Sequence, residues 1–584
     1  MFGKIIYISD NVAHIEIPAG TPVAENLMNM HVIFEDDKKK ILGEIEDISQ
    51  NLIKVGFLGE IVNGRFVGGV IRKPTLSSNI RIITKEELAL IIGEDKPGSM
   101  ILGNSPLYDD CQIRVDINDL FSNHMAIFGN TGSGKSCGVA RLLQNVFNNP
   151  SFLPYKSNFF IFDAYGEYHN AFKDINKINP NLHFKYYTTN KTEVGEQRLR
   201  VPLWLLNVDD LALLLEASSH SQLTIIEKML KLVKIFSQSD EQSIKYRNHL
   251  IAKAIMNILY TNQTSPSKRN DIFSILATCS TEQFNLEAPV QGIGYVRKFR
   301  ECFTMNKDGQ FTESILVTEY ISSFIDEELE KYEPTKPSFY TLEDMERAMN
   351  FTLISEGLLK NEKMYDEAIM LKVRLHALVI GENSEYFKMD RYMTVEQYIS
   401  SLVACPDGRK AQIINFNLED IDDSFAKSLT KIYTRMLFDF TKRLNVRASI
   451  PFHIFLEEAH RYVQNDNDKF LLGYNIFDRV AKEGRKYGLI FNLISQRPVE
   501  ISETVISQCS NFIIFKMSHP RDLEYIKKML PNISAEVVEK QKSLQPGTCV
   551  AFGKAFKIPM IIKMQMPNPE PHSSNCDVVA RWVN

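Results

Sequence analysis

The sequence predicts an α/β protein with a parallel-sheet core, a small β-barrel ahead of it and a helical insertion within it. Three observations carry this. Short apolar segments separated by glycines fill the first 70 residues. A strand, glycine-rich turn, helix, strand succession begins near residue 100 and returns after 410. Between those stretches the apolar spacing is helical.

Length and composition set the frame. At 584 residues, a prior of about 150 residues per domain gives three to four domains. With 44% hydrophobic and 24% charged residues the chain can bury several cores, which excludes collagen-like, disulfide-dense or largely disordered classes. The balance of 67 basic against 72 acidic residues, net charge −5, argues against a surface that coats nucleic acid throughout. The eight cysteines include no C-x-x-C pair, so reduced thiols and a cytoplasmic setting are expected. The first residues, MFGKIIYISDN, carry charge where a signal peptide needs an apolar core, and no run reaches the roughly 18 apolar residues of a membrane span.

The elements follow in order. KIIYI, VAHIEI, HVIFE, LIKVGFL and RFVGGVI read as strands of a barrel, and ITKEELALIIG as a helix that DKPGS ends, giving a first domain over 1–95. The first part of the α/β core is expected over 96–204, with MAIFGN and SNFFIFDAY as strands around the helix CGVARLLQNVFNN. A helical insertion is expected over 205–405, including QLTIIEKMLKLVKIF and KMYDEAIMLKVRLHALV, with SPSKRN and KPSFYT as loops. TLEDMERAMNFTLISEGLL opens on the capping pattern Thr341 to Asp344. The second part of the core spans 406–566: strands AQIINFNL, PFHIFLEEAH, GLIFNLIS and NFIIFKM, then a hairpin, GTCVAFGKAFKIPMIIKM. Residues 567–584 form a polar tail, a loop or a partner-binding arm.

One motif outweighs the rest. Gly129, Asn130, Thr131, Gly132, Ser133, Gly134, Lys135 and Ser136 match G-x-x-x-x-G-K-[ST] in full, between an apolar strand and a helix. Glycines let backbone N–H groups turn inward around phosphate, Lys135 reaches the β/γ-phosphates, and the Ser136 hydroxyl suits Mg²⁺. Cys137 follows in the first helical turn, whose positive end faces the anion. The strand PFHIFL ends in Glu457 and Glu458, which suits a metal-supporting acid followed by a water-polarising base. The first acid of such pairs is usually Asp, and Glu457 is longer by one methylene. Gln496, in SQRP at another strand tip, suits a γ-phosphate sensor. Arg479 and Arg485 lie on a basic segment that reads either as a solvated face or as an arginine finger for a neighbouring copy's ATP.

GNTGSGKS, FIFDAYGEY, VPLWLLN, IFLEEAH, AKEGRKYG and SQRP occur in this order, and together they resemble the HerA branch of the HerA/FtsK superfamily. The resemblance implies a RecA-like P-loop NTPase core and a homohexameric ring that threads double-stranded DNA at the cost of ATP. Carried over by position, Lys135 and Ser136 bind phosphate and Mg²⁺, Glu457 supports the metal, Glu458 is the base and Gln496 the sensor. Arg485 is the first choice for the finger and Arg479 the second. Asp163 and Glu167 are expected to couple the site to DNA, and His124 to contact nucleotide; Asn123 stands where relatives often have arginine. HerA-type proteins commonly work with a nuclease and, in bacterial anti-phage systems, with a sirtuin-like NADase or another effector. The same motifs also suit a nucleotide-gated scaffold that activates a bound effector with little translocation. Asp420, Asp422 and Asp423 read as a helix N-terminus rather than a nuclease site. Lys191, Arg198 and Arg200 read first as a solvated loop and second as pore lining.

Overall fold

The structure is a computed structural model that describes residues 2–18, 27–36, 39–49, 51–109, 111–149, 152–192, 197–332, 337–355, 362–529, 540–573 and 578–583. The end of the segment TLEDMERAMNFTLISEGLL and part of the tail lie outside these residues. The chain divides into two compact units: residues 1–197, 399–466 and 475–584 form one, and residues 198–398 with 467–474 form the other.

The first unit opens with strands β1 (Ile5–Ile8), β2 (Val12–Glu16), β3 (His31–Asp36), β4 (Lys39–Ile48), β5 (Leu52–Val62), β6 (Arg65–Gly68) and β7 (Asn79–Ile82). They pair antiparallel in the order β1-β2-β5-β4-β3-β7, with β6 beside β5. The barrel expected from the glycine spacing is, among the described residues, an open sheet, because β1 and β7 do not pair. Its buried face packs Ile15, Val32, Phe34, Ile45 and Val55. A helix, Lys85–Ile92, follows with the reciprocal cap of Thr84 and Glu87.

The larger sheet of this unit is built from β8 (Ser99–Asn104), β9 (Gln112–Asp116), β10 (Met125–Phe128), β11 (Phe159–Asp163), β12 (Phe184–Thr188) and β13 (Gln197–Arg198). After a separate hairpin, β14 (Pro289–Gly292) with β15 (Tyr295–Lys298), it is completed by β16 (Ile413–Asn417), β17 (Phe452–Leu456), β18 (Leu489–Ser495), β19 (Asn511–Phe515), β20 (Thr548–Gly553) and β21 (Met560–Lys563). The order is β13-β12-β16-β11-β17-β18-β10-β19-β20-β21-β8-β9. From β12 to β19 the pairings are parallel, and from β19 to β9 antiparallel. Every residue of β10, β11, β16, β17, β18 and β19 is buried, as parallel strands covered on both faces require. The carboxyl ends of β10, β11, β17 and β18 therefore lie side by side along one edge, where an open parallel sheet places its ligands.

The second unit is mainly helical: His220–Phe236, Glu241–Leu259, Ser265–Cys279, Leu342–Ser355 and Glu362–Ile380. SPSKRN, expected as a loop, is instead the start of the helix Ser265–Cys279. Its proline occupies the first turn, where a missing N–H costs nothing and the fixed φ suits a helix. Thr341 and Asp344 cap Leu342–Ser355 as their spacing suggests, with the Asp344 N–H donating to Thr341 Oγ1 at 3.3 Å and the Thr341 N–H to Asp344 Oδ2 at 2.9 Å.

Candidate nucleotide site

The glycine-rich loop leaves the end of β10 and enters the helix Lys135–Phe147. Gly132 and Gly134 adopt φ of +75° and +92°, a left-handed backbone that side chains rarely take. At Gly134 a Cβ would also stand 2.8 Å from the Gly547 nitrogen. Neighbouring strands hold the loop from both sides. The Gly129 N–H donates to the Ser495 carbonyl at the end of β18 at 3.2 Å, and the Asn130 N–H to the Lys516 carbonyl after β19 at 3.0 Å. Thr131 Oγ1 donates to Gln496 Oε1 at 2.7 Å, joining the loop to the SQRP turn. The Ser133 hydroxyl is buried with no partner among the described residues.

Lys135 and Glu458 meet at the centre. Lys135 Nζ donates to Glu458 Oε1 at 3.1 Å, with the two residues only 7% and 6% exposed. Glu458 takes a left-handed backbone, φ 47° and ψ 48°, which a long side chain adopts only where its surroundings hold it. That turn swings its carboxylate from the line of β17 towards the loop. Burial raises the Glu458 carboxyl, but His460 and Lys135 outweigh it and hold the group below its ordinary value. His460 Nδ1 lies 3.1 Å from Glu458 Oε2 and 3.1 Å from Ser495 Oγ. The Glu458 carboxylate is thus kept ionised by a lysine whose natural partner is a phosphate.

Glu457 points elsewhere. Its Oε2 accepts the Ala164 N–H at 3.2 Å, and its carboxyl faces Asp163. Burial raises it well above the ordinary carboxyl range, and the Asp163 charge adds to this. Asp163, fully buried at the end of β11, accepts the Glu167 N–H at 3.0 Å, the Tyr168 N–H at 2.9 Å and the Asn415 amide at 3.0 Å. Two of these bonds fold the DAYGEY turn back onto the strand end. Burial raises the Glu167 carboxyl, and the nearby Ser136 hydroxyl works in the opposite sense.

The remaining expected residues separate by position. Cys137 is half-buried beside Ser573, and burial pushes its thiol up. Arg485 is exposed in the turn Gly484–Tyr487, and Arg479 lies over the Phe438 ring at 5.9 Å. Both precede β18 in the chain, and Arg485 lies at the edge opposite the loop, near His124. Strand β18 has seven residues, so at about 3.3 Å per residue Arg485, in the turn that enters it, stands about 20 Å from the carboxyl end. His124 requires a correction. It sits at the amino end of β10, 1% exposed, with Nδ1 accepting the Phe491 N–H at 2.9 Å, so it does not line the loop that leaves the other end. Burial lowers it to about 4, which keeps it neutral. Asn123 is also buried there, with Nδ2 donating to the Asp119 carbonyl at 3.0 Å. In the helical unit Arg200 pairs with Asp390 at 3.7 Å. Asp422 caps Asp423–Arg443, accepting the Phe425 N–H at 2.9 Å.

Three contributors lay outside the expected set. Lys516 and Ser518 close one side of the loop, Ser518 Oγ accepting from the Asn130 amide at 2.7 Å. Gly547 donates its N–H to the Ser133 carbonyl at 2.9 Å. The tail runs along Lys135–Phe147: the Asn568 N–H donates to Gln144 Oε1 at 2.9 Å, and the His572 N–H to the Glu167 carbonyl at 2.8 Å. Only the polar residues after the apolar strand NFIIF hinted at the first pair.

Comparison with known proteins finds similar chains along most of the sequence. The family model described as "Helicase HerA, central domain" matches residues 98–285. The "DNA double-strand break repair helicase HerA" of Sulfurisphaera tokodaii is 24% identical over 518 residues, 87% of this chain and 77% of that protein. A "Probable DNA double-strand break repair helicase HerA" of Methanocaldococcus jannaschii is 23% identical over 568 residues, 94% and 92% of the two chains. Among solved structures, VirB4 of Thermoanaerobacter pseudethanolicus aligns with a TM-score of 0.45 and 12% identity, covering 81% of this chain and 97% of that one. The chain carries a complete phosphate-binding loop motif and is similar to these HerA helicases over most of its length. No helix among the described residues is long and apolar enough to cross a membrane.

Proposed function

We propose that this chain is an ATP-driven motor that moves double-stranded DNA through a homohexameric ring. The observation that carries the reading is the buried contact of Lys135 with Glu458 inside the glycine-rich loop. Arriving phosphate competes for Lys135, and Glu458, released, accepts the proton of the attacking water. His460 keeps that carboxylate ionised until it acts. Gln496, tied to Thr131, registers whether the γ-phosphate is present. Mg²⁺ fits the donor set: the Ser136 hydroxyl with carboxylates near the loop, and a buried Glu167 oxygen without a hydrogen-bond partner. When bound, the ion neutralises phosphate charge.

The position of Arg485, exposed before β18, supports the ring reading if it is the finger. A finger about 20 Å from its own loop serves only a neighbour's phosphates, so hydrolysis at one site needs a second copy. A basic channel inside such a ring is compatible with a net charge of −5 over the whole chain. A separate effector, a nuclease or a sirtuin-like NADase in anti-phage defence, completes the proposal on the strength of the family resemblance. The testing experiment is displacement of a protein roadblock from duplex DNA by the purified protein with ATP. Displacement that Lys135→Ala abolishes supports the motor. No displacement, with a bound effector activated by a non-hydrolysable ATP analogue, supports the scaffold reading instead.

A further inference from the structure

The helical unit holds a cavity of about 450 Å³ between the helices His220–Phe236 and Glu241–Leu259, with Phe351 and Glu330 also in its lining. We propose that this cavity binds a small phosphate monoester that carries an apolar or aromatic body. Ligand cavities commonly span about 300–1,000 Å³, so the size suits a small molecule. Leu232, Ile235, Leu250 and Phe351 supply apolar lining for the body. Lys228, Lys231 and Lys253 supply three ammonium groups, against one carboxylate, Glu330, among the described lining residues. The excess of two positive charges matches a phosphate monoester, which carries about −1.5 to −2 near pH 7. A bare inorganic anion would leave the apolar lining against water, and an uncharged ligand would leave the ammonium groups unmatched.

Two further observations point to an anion at this place. Lys228 and Lys231 stand three residues apart on one helix, and His249, Lys253 and Asn257 stand four apart on the next, so each set projects from a single face. Like charges gathered in this way repel one another. Lys253 pairs with Glu330, whereas Lys231 has no acidic partner among the described residues. The second observation is His249, which lines the cavity and is only 1% exposed. Its Nδ1 accepts the Asp326 N–H at 3.0 Å, so the ring proton stands on Nε2. Burial, and then the Lys253 charge, lower the imidazole from its ordinary value and keep it neutral. The Nε2–H has no acceptor among the described residues, and a buried donor is costly to leave unpaired. A phosphate oxygen supplies that acceptor, and the ammonium groups beside it exclude a cation.

The test is calorimetric titration of the full chain with phenyl phosphate, beside inorganic phosphate and phenol as its two halves. Each titration is made on wild type and on Lys135→Ala, which takes the glycine-rich loop out of the competition. Phenyl phosphate is expected to bind both proteins alike, at least about tenfold more tightly than either half. Lys231→Gln, at an exposed position, and His249→Phe are each expected to weaken it about tenfold, since each removes one donor to a charged group. Melting temperature, read in the same samples, separates a folding defect of His249→Phe from a lost contact. Binding that disappears in Lys135→Ala puts the phosphate in the glycine-rich loop and overturns the proposal. No binding to either protein, an equal affinity for phenol, or an affinity that Lys231→Gln leaves unchanged overturns it as well.

Discussion

The two ends of the same parallel strands hold different chemistry. At the carboxyl ends of β10, β11, β17 and β18 stand Lys135, Asp163, Glu457, Glu458 and His460. At the amino ends stand Asn123, His124, Asn158 and His453, buried and without formal charge. His453 stacks on Phe159 at 5.0 Å and meets Phe121 edge-on at 5.5 Å, with burial lowering it to about 3. One end holds the Lys135–Glu458 ion pair poised for a ligand, and the other uses its neutral polar groups to hold strands in register. The difference teaches that burial alone does not mark function here; a buried ion pair does.

Substitutions are expected to divide along the same line. Lys135→Ala has the largest effect, removing measurable nucleotide binding and at least about a hundredfold of ATP hydrolysis, while thermal stability stays close to wild type. Glu458→Gln lowers hydrolysis by about 10²–10³-fold with ATP binding retained, read by single-turnover kinetics. Arg485→Ala is the sharpest challenge to a simple two-ended division. It sits at the amino edge, yet it is expected to cost about tenfold or more in hydrolysis with no loss of stability, because its target belongs to another copy. If Arg479→Ala shows that loss and Arg485→Ala does not, the finger assignment passes to Arg479.

At the amino end the effects are expected in stability. His453→Ala costs about 3–5 kcal/mol in urea unfolding, since a buried ring leaves a cavity, and the ATP turnover of folded molecules is unchanged. The last prediction concerns pH. His31, His124 and His453 titrate at about 3, 4 and 3 when folded, against an ordinary 6.5. Below pH 6.5 these three imidazoles bind more protons in the unfolded chain than in the folded one; the raised carboxyls of Glu457 and Glu167 act in the opposite sense, and three imidazoles against two carboxyls make stability fall from about pH 6.5 towards pH 3–4. Melting temperature measured from pH 7.5 down to 4.5 checks the sign; a flat profile would contradict it.

Much of this was legible in the sequence, and the reasons differ by element. The glycine loop is a local device whose spacing is fixed by phosphate geometry, so GNTGSGKS announces it. Fully apolar strands ending in polar residues announce a buried parallel sheet and its working edge. What stayed illegible depends on contacts across the chain. SPSKRN looks like a loop by composition, but its proline sits where a helix begins. His124 precedes the P-loop strand by one residue, yet four strand residues carry it to the far end of the sheet. The turn of Glu457 towards Asp163 and of Glu458 towards Lys135, and the folding of the DAYGEY loop by Asp163, depend on contacts between strands far apart in sequence. None of these has a local signature.

The central claim is that the Lys135–Glu458 site hydrolyses ATP in the service of moving DNA. The most direct measurement is the steady-state ATPase rate of the full chain with and without double-stranded DNA, beside Lys135→Ala. A wild-type rate raised severalfold by duplex DNA, with none from the variant, is the result this account predicts. A wild-type rate indifferent to DNA, or one that survives Lys135→Ala, would contradict it.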